Sequence, residues 1–409
     1  MKKIMVCVLL VICIAISSVN LSSAVYQTRN IFQDSSLQMN NSDYGLQWIM
    51  EYGNDPKSDA RYQGPQPIGD SNNNGDNEVL ISGRDEAIRV MSWDENKQTY
   101  NQVRVIRPPL YPLIRCDAGG MAIGDVTNDG KNEVVATWYT ALYRYFVGDY
   151  RLIGMNPWIF RNNGGSADCL IGDFNTDGEN EVIVSGGPLW GSTSPVAQIT
   201  VFKWNGLWLQ KIAEWKDPEV EGYVFMAGLG DVDGDGRNEI VCAYANKVIV
   251  LKWDAERLVF QPTVVKEYSR NEGFPFGVVC KDCDNDGNAE ILLSFWTPRI
   301  EIFKWNGTGY QTQFERTWSE GKPVIEGIDV GDTDNDGYNE VVVGAGQTYI
   351  LRWNGTTYVE KAVLPTFGWM AVVCIGDCDN DGKNEILLGN VHIDAGQNFT
   401  QWIYKYGWE

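Results

Sequence analysis

Seven short segments of the sequence carry oxygen-bearing side chains at the same four offsets. In the clearest segment, 231–239, aspartates stand at positions 1, 3 and 5, glycine at position 6 and glutamate at position 9. Side chains at alternate positions of a tight loop can turn to one side, and the glycine permits a sharp reversal that a side chain would obstruct. Carboxylates gathered in this way are typical ligands of calcium, a hard cation that binds oxygen.

We number these segments loops 1 to 7 in chain order: 70–78, 125–133, 173–181, 231–239, 282–290, 332–340 and 377–385. Loops 4 to 7 each present four carboxylates: Asp231, Asp233, Asp235 and Glu239; Asp282, Asp284, Asp286 and Glu290; Asp332, Asp334, Asp336 and Glu340; Asp377, Asp379, Asp381 and Glu385. Loops 2 and 3 present three, with a neutral residue at position 3: Asp125, Thr127, Asp129 and Glu133; Asp173, Asn175, Asp177 and Glu181. Loop 1 offers two carboxylates, Asp70 and Glu78, beside Asn72 and Asn74. We therefore expect loop 1 to bind metal weakly or not at all.

The repetition favours metal binding over ordinary solvated turns. These offsets hold 24 of the 54 carboxylates in the chain. Carboxylates packed together repel one another unless a cation neutralises them. We predict several structural calcium ions, because magnesium prefers to keep more of its water. Each ion would tie one strand to the next, so a chelator should lower the thermal stability of the fold.

The repeat also predicts the fold. Successive first aspartates are 45 to 58 residues apart, which suits a propeller blade of four short strands. In blade 4 we expect strands over 223–229, 240–245, 248–253 and 258–268, rich in β-branched and aromatic residues. A basic residue and an aromatic end the third strand of most repeats. We interpret these aromatics as packing between blades, with ligand stacking as the alternative: Trp93, Tyr145, Trp204, Trp253, Trp305, Trp353 and Tyr406.

Both ends of the chain have predicted roles. The last repeat stops after its third strand, and 46–52 has the pattern of the missing fourth strand, which would close the ring. We therefore predict an all-β fold over 45–409: a seven-bladed β-propeller of four-stranded antiparallel blades, with an N-terminal strand completing the last blade. Residues 1–24 resemble a signal peptide, with two lysines, a 13-residue apolar run and small residues at a cleavage site. Residues 25–44 are polar and are expected to form a flexible lead-in.

Charge and cysteine content restrict the partners and the compartment. A net charge of −21 argues against nucleic acid, which needs clustered lysine and arginine. After signal cleavage no apolar stretch remains that could enter a membrane, so we expect a secreted or cell-surface protein. We also expect it to be a monomer. Seven cysteines would remain, mostly within apolar strand patterns, and we interpret them as buried small hydrophobic residues.

The loop pattern resembles the FG-GAP and VCBS repeat families, the calcium-loop blades also seen in integrin α-subunit heads. The resemblance rests on Asp-x-Asp-x-Asp-Gly-x-x-Asp/Glu between two strands, repeated over residues 45–409. Position 9 is glutamate in all seven loops here, where the families more often have aspartate. Some fungal lectins and polysaccharide lyases look similar in this respect. The resemblance therefore implies a fold and a metal and leaves the activity open.

Three functions remain open at this point: an extracellular binding or adhesion module for glycan or protein, a calcium-dependent polysaccharide-active enzyme, and a purely architectural component. The face opposite the loops is expected to carry aromatic and arginine residues that could bind a partner or merely pack: Tyr111, Arg115, Trp138, Tyr139, Trp158, Phe160, Arg161, Trp190, Tyr223, Arg270, Phe274, Phe276, Trp296, Phe367 and Trp369. The mature chain has a single histidine, His392, which we place in a surface loop. A histidine-based catalytic triad is therefore not expected.

Overall fold

The computed structural model describes residues 43–61, 64–113, 119–156, 166–186, 196–218, 222–319 and 324–408. Within these ranges the chain forms 28 β-strands and one short 3-10 helix, Arg270–Glu272. The strands make seven sheets of four strands each. Neighbouring strands are antiparallel throughout, as in blades 1 and 4. The predicted seven-bladed β-propeller is thus confirmed. Among the described residues no helix is long and apolar enough to cross a membrane.

Blades 1 to 6 each consist of four consecutive strands, ordered from the centre of the ring outwards. Blade 1 contains β2 (Ile68–Gly69), β3 (Glu78–Gly83), β4 (Ala87–Asp94) and β5 (Thr99–Ile106); blade 2 contains β6 (Met121–Gly124), β7 (Glu133–Ala136), β8 (Ala141–Phe146) and β9 (Asp149–Met155). Blade 3 contains β10 (Ser166–Gly172), β11 (Glu181–Gly186), β12 (Gln198–Trp204) and β13 (Leu209–Lys216); blade 4 contains β14 (Ala227–Gly230), β15 (Glu239–Tyr244), β16 (Lys247–Asp254) and β17 (Val259–Glu267). Blade 5 contains β18 (Pro275–Lys281), β19 (Glu290–Phe295), β20 (Thr297–Trp305) and β21 (Tyr310–Thr317); blade 6 contains β22 (Ile328–Gly331), β23 (Glu340–Ala345), β24 (Gln347–Trp353) and β25 (Tyr358–Leu364).

Blade 7 is assembled from both ends of the ring. Its strands are β26 (Trp369–Gly376), β27 (Glu385–His392) and β28 (Phe399–Tyr406), and β1 (Tyr44–Gly53) is added as the outermost strand. Strand β1 pairs antiparallel with β28, with Tyr44 opposite Tyr406 and Ile49 opposite Trp402. The predicted closure by an N-terminal strand is confirmed. Because the pairing joins the two ends of the ring, it leaves the edge of β28 covered.

The core lies between the blades, where the second and third strands are buried on both faces. All six residues of β15 are buried, as are all six of β23. A fully buried valine, leucine or isoleucine contributes about 1.5–3 kcal/mol, so these strands dominate the stability of each blade. The inner strands crowd together near the loops. A Cβ added to Gly172 would lie 2.5 Å from Leu229 Cδ2 of the next blade, which explains a small residue before the loop.

The structure corrects two sequence predictions. The inner strand of blade 4 begins at Ala227 and not at residue 223. The preceding residues form an inter-blade linker, in which the Val224 N–H donates to the Gly186 carbonyl of blade 3 at 2.9 Å. His392, placed in a loop by the sequence, is the exposed last residue of β27, and its ring lies 4.3 Å from that of Trp369.

The cysteine prediction is confirmed for the described residues. Six cysteines are free and buried: Cys169, Cys242, Cys280, Cys283, Cys374 and Cys378. The seventh, Cys116, lies outside the described ranges, as do the predicted signal peptide and most of the lead-in.

Candidate metal centres and a candidate binding surface

Each of the seven loops joins the first strand of a blade to the second and is held by its position-1 aspartate. In loop 4, Asp231 Oδ1 accepts the Asp235 N–H at 3.1 Å, and Oδ2 accepts the Gly236 N–H at 2.8 Å. The bond from the position-6 glycine recurs in all seven loops at 2.7–3.0 Å. Gly236 has φ +82°, a conformation that favours glycine, so the fixed glycine of the pattern has a structural cause.

The position-9 glutamates lie at the end of each loop, and most of them accept hydrogen bonds from the loop backbone. They begin the second strand of each blade and are almost completely buried. In loop 5, Glu290 Oε2 accepts the Cys283 N–H at 2.8 Å, and Glu239 of loop 4 accepts the Val232 N–H at 3.2 Å. Burial raises the pKa of Glu239 and of Glu290 to about 7, because desolvation disfavours the charged form.

Carboxylate oxygens converge in five of the loops. In each of these loops, three acidic residues place oxygens within 4.8 Å of one another: Asp173, Asp177 and Glu181; Asp231, Asp233 and Glu239; Asp282, Asp284 and Glu290; Asp332, Asp334 and Asp336; Asp377, Asp379 and Glu385. These clusters could hold a metal ion, because hard oxygen donors suit a divalent cation such as calcium. The assignment of the individual loop residues as ligands remains a prediction.

A lysine or arginine of the third strand reaches into each of loops 2 to 7. In loop 5, Lys304 Nζ lies 2.5 Å from Asp284, 2.7 Å from Asp286 and 2.8 Å from Glu290. Burial alone would lower the pKa of Lys304, but its hydrogen bonds to these carboxylates raise it above the usual value. The equivalent residues in loops 2, 3, 4, 6 and 7 each contact the position-5 aspartate and at least one carboxylate at position 3 or 9: Arg144, Lys203, Lys252, Arg352 and Lys405.

We call these six residues the third-strand cations. In the sequence each appears as the basic residue before a third-strand aromatic. Its carboxylate partners lie in the acidic loop between the first and second strands, and sequence reasoning missed this contact. Loop 1 is the exception, with Ser92 at the equivalent position. There Ser71 donates to Glu78 through both its N–H and its hydroxyl, and the Asn72 amide donates to the other oxygen. Loop 1 thus has the fewest carboxylates and satisfies them with neutral donors.

The loops of neighbouring blades are joined by asparagines. In loop 1, the Asn73 side chain accepts the Asn132 N–H of loop 2 at 2.7 Å and donates to the Asn132 carbonyl at 2.9 Å. The Asn132 amide in turn donates to the Asp70 carbonyl at 2.9 Å. We call this set of three hydrogen bonds, from positions 4 and 8, an asparagine clasp. Sequence reasoning missed it, although asparagine occupies position 8 in six of the seven loops.

Complete clasps join loops 1–2, 2–3, 5–6, 6–7 and, across the closure of the ring, 7–1. Between loops 3 and 4, Thr176 replaces the position-4 asparagine, and only the Asn238 amide bond to the Asp173 carbonyl is made, at 2.8 Å. Between loops 4 and 5 both asparagines are replaced, by Gly234 and Ala289, and within the described residues no clasp bond is formed.

Aromatic side chains cluster on the face opposite the loops, at blades 4 and 5. The Phe225 ring stacks on Phe276 with centroids 4.7 Å apart, and Trp296 packs edge-on to Phe276 at 5.1 Å. Phe225, Phe274 and Trp296 are 37%, 45% and 38% exposed, whereas Phe276 is buried. We call Phe225, Phe274, Phe276 and Trp296 the aromatic surface. The sequence predicted three of them and missed Phe225, which had been assigned to the inner strand.

Several other residues predicted on this face are either buried or not described by the structure. Trp138 is buried in the core between blades 1 and 2, so packing explains it. Arg115, Trp158, Phe160, Arg161 and Trp190 lie outside the described ranges, and so does the side chain of Arg270.

A buried carboxylate lies at one end of the aromatic surface. Glu326 stands six residues before the first aspartate of its loop, the position that Phe276 and Phe225 occupy in blades 5 and 4. The adjacent Ile325 N–H donates to the Phe295 carbonyl, next to Trp296, at 3.1 Å. Glu326 is 1% exposed, and neither oxygen has a hydrogen-bond partner. Burial raises its pKa to about 7.

The architecture and the loops together define a β-propeller whose blades each carry an acidic loop between the first and second strands. Three overlapping stretches, 231–293, 282–343 and 332–388, match the FG-GAP-like repeat. Residues 231–388 therefore carry FG-GAP-like repeats, and the resemblance to the FG-GAP family predicted from the sequence is confirmed. No curated protein sequence matches the chain.

Solved structures support the fold. BBS1N, crystallised in complex with ARL6DN and soaked with mercury, has a TM-score of 0.59 at 10% identity, covering 89% of this chain and 97% of that chain. The lead-soaked crystal of the same complex gives a TM-score of 0.56 at 11% identity, with the same coverage. The Dos1 propeller gives 0.52 at 11% identity, covering 84% of this chain and 78% of that chain. At such low identity the likeness concerns the fold alone.

Proposed function

We propose that the chain is an exported, calcium-stabilised β-propeller that acts as an extracellular binding or adhesion module for a glycan or a protein. The observation that carries this proposal is the aromatic surface. Three large rings are each more than a third exposed at one place on the face opposite the loops. Exposed, clustered aromatics are typical of surfaces that stack on sugars or anchor a protein partner. The unpartnered Glu326 beside them supports the proposal, since such a group is more common at functional sites.

Calcium is the second part of the proposal. It rests on the convergent oxygens of loops 3 to 7 and on the FG-GAP-like repeats. The ligands would come from positions 1, 3, 5 and 9 of each loop. In loop 4, Asp233 Oδ1 and Glu239 Oε1 are buried without a hydrogen bond, so they are available to a cation. Calcium bound there would supply charge neutralisation and a link between two strands.

A melting experiment tests the calcium proposal. A site with a Kd of about 10⁻⁴ M adds ~1.8 kcal/mol of stability in 2 mM calcium. Several such sites should raise the Tm by roughly 3–8 °C over the same protein in EDTA. Magnesium at equal concentration is the control and should raise it less. An equal Tm in calcium and in EDTA would contradict the proposal.

A binding screen tests the proposal that the chain is a glycan-binding module. The chain without residues 1–24 would be applied to a glycan array in millimolar calcium, with an EDTA control. Trp296→Ala should abolish a signal that comes from the aromatic surface. Trp208→Ala is the matched control, because Trp208 is equally exposed, at 39%, but lies in the hairpin after β12 on the loop face. A blank array from folded protein would count against sugar and direct the search to protein ligands.

A protein ligand has one specific observation in its favour. The structural neighbour BBS1N was crystallised with a protein partner, ARL6DN, so a chain of this fold can hold one. If the array is blank, wild type, Trp296→Ala and Trp208→Ala would each be attached to beads. The proteins that each captures from the extracellular medium of the source organism would then be compared. Capture that is lost with Trp296→Ala and kept with Trp208→Ala would place the ligand on the aromatic surface.

A further inference from the structure

The third-strand cations occupy the same oxygens that a metal ion would need. Lys405 Nζ lies 2.5 Å from Asp379, 2.8 Å from Asp381 and 2.8 Å from Glu385, which are positions 3, 5 and 9 of loop 7. Lys304 makes the same three contacts in loop 5. Two positive charges cannot share one set of ligands at these distances, because like charges this close repel strongly in a partly buried site. A metal ion must therefore move the side chain out.

The distribution of these residues follows the charge of the loops. Every loop with three or four carboxylates at the ligand offsets has a third-strand cation, and loop 1, with two, has Ser92. Loop 6 has a second cation. Lys361 from β25 contacts Asp334, and its Nζ lies 2.8 Å from Glu340, alongside Arg352. This matching indicates that the cations neutralise the loops and were not placed there by strand packing alone.

We propose that the third-strand cations are resident counterions that calcium has to displace, and that they set the order in which the loops take up metal. This inference rests on the calcium part of the proposed function. It makes Lys252, Lys304, Lys405 and their equivalents determinants of metal affinity, although none of them is a ligand. A loop whose cation leaves easily binds calcium tightly, and a loop with a deeply held cation binds it weakly.

Loop 4 is the site expected to fill first. Its cation, Lys252, is 38% exposed, against 28% for Lys304 and 7% for Lys405. Lys252 Nζ is also 3.9 Å from Glu239 Oε1, too far for a hydrogen bond, and this oxygen and Asp233 Oδ1 have no other partner. Loop 4 therefore combines four carboxylates, two unsatisfied oxygens and the cation closest to solvent.

Loop 6 is the site expected to fill last among the loops with four carboxylates. Both Arg352 and Lys361 would have to withdraw, and Arg352 is additionally held over the ring of Tyr338 at 5.2 Å. Loops 4 and 6 each have four carboxylates, yet their cations should give them different affinities for calcium.

The test replaces one cation by a neutral side chain of similar length. In Lys304→Met, loop 5 keeps all four carboxylates and loses its competitor, so its calcium affinity should rise about 10- to 100-fold. The affinity is measured by competition with a chromophoric chelator, and the metal-free Tm is measured in parallel and should fall. Lys97→Met is the matched control, since Lys97 is exposed and pairs with Asp94 outside the acidic loops, so its replacement should change neither quantity.

A second measurement in the otherwise wild-type protein does not depend on Lys304→Met folding. Asp233→Asn in loop 4 should remove the tightest calcium-binding step, and Asp334→Asn in loop 6 should leave it in place. Equal calcium affinity in Lys304→Met and wild type would overturn the competition while leaving the calcium proposal intact. An absence of calcium binding in every variant would overturn both. Loss of the tightest step by Asp334→Asn and not by Asp233→Asn would overturn the order of filling.

Discussion

Gly234→Asn and Ala289→Asn should install the missing asparagine clasp between loops 4 and 5. The backbone already has the required shape, because Gly234 has φ +71° and the clasp asparagines at the same position have φ values from +57° to +65°. Asparagine tolerates this left-handed conformation better than other residues with a side chain. A Cβ on Gly234 would meet its nearest neighbour, Asn288 Oδ1, at 3.8 Å, so there is room for the side chain.

The gain can be worked out bond by bond. Asn at 234 would accept the 289 N–H and donate to the 289 carbonyl, and Asn at 289 would donate to the Asp231 carbonyl. Each bond lies near the surface and should contribute about 0.5 kcal/mol, the low end for protein hydrogen bonds. Replacing glycine in a compatible conformation adds roughly 0.4–1 kcal/mol by restricting the unfolded chain. The double variant should therefore gain about 2 kcal/mol.

Urea unfolding in EDTA measures this gain in the free energy of unfolding without a contribution from metal, and a thermal melt in the same buffer gives the matching change in Tm. At about 2.1 cal/mol/K per residue over roughly 360 folded residues, 2 kcal/mol corresponds to a rise in Tm of ~2–3 °C. Gly234→Asn alone should gain more than Ala289→Asn alone, since it forms two of the three bonds. Gly234→Ala is the control, because alanine lacks the amide and tolerates this left-handed conformation less well than asparagine, so it should destabilise. If Gly234→Asn is no more stable than Gly234→Ala, the clasp has no energetic role.

Two further predictions concern buried positions. Glu326→Gln should be more stable than wild type at pH 8 by roughly 3 kcal/mol, and the two proteins should be about equally stable near pH 4.5. The reason is that burial raises the pKa of Glu326 from 4.5 to about 7, so the wild type loses stability as the pH rises through this interval. A gain that does not depend on pH in paired urea titrations would argue against this explanation. Gly344→Ala should destabilise by about 1–3 kcal/mol, because its Cβ would lie 2.3 Å from Met370 Cβ in the next blade. Gly309→Ala, with no atom within 4 Å of its Cβ, is the matched control, and equal stability of the two variants would refute the crowding argument.

The ring could be predicted from the sequence because its signals are local and repeated. Each acidic loop marks one turn between two strands, and seven copies at similar spacing fix the number of blades. Closure by β1 followed from counting strands in the last repeat. The inner strand of blade 4 was predicted too long, since 223–226 has the apolar pattern of a strand. Its backbone instead bonds to Gly186 of blade 3, and no local pattern reveals that contact.

The loops could be predicted only in part, for a similar reason. The acidic offsets lie within nine residues of one another and are visible in the sequence. Lys304 is 14 residues beyond the end of its loop and reaches Glu290 only because β19 and β20 pair in one particular register, with Ile291 opposite Phe303. The asparagine clasps join residues on different blades, 49 to 65 positions apart, and about 300 apart where the ring closes. The first contact depends on strand register and the second on the packing of neighbouring blades. In the sequence each therefore appears only as a residue type that recurs at a fixed place in the repeat, with no visible partner.

The third-strand cations change what calcium is expected to contribute. In a loop of bare carboxylates, metal removal would leave four repelling charges, and the blade would come apart. If loop 5 binds calcium as proposed, withdrawal of the metal would let Lys304 return to Asp284, Asp286 and Glu290, so the loop would exchange one counterion for another. The stabilisation by calcium is then the difference between the two states and not the whole energy of neutralisation. The blades should therefore remain folded in EDTA, and calcium should add rigidity to a ring that the clasps and β1 already close.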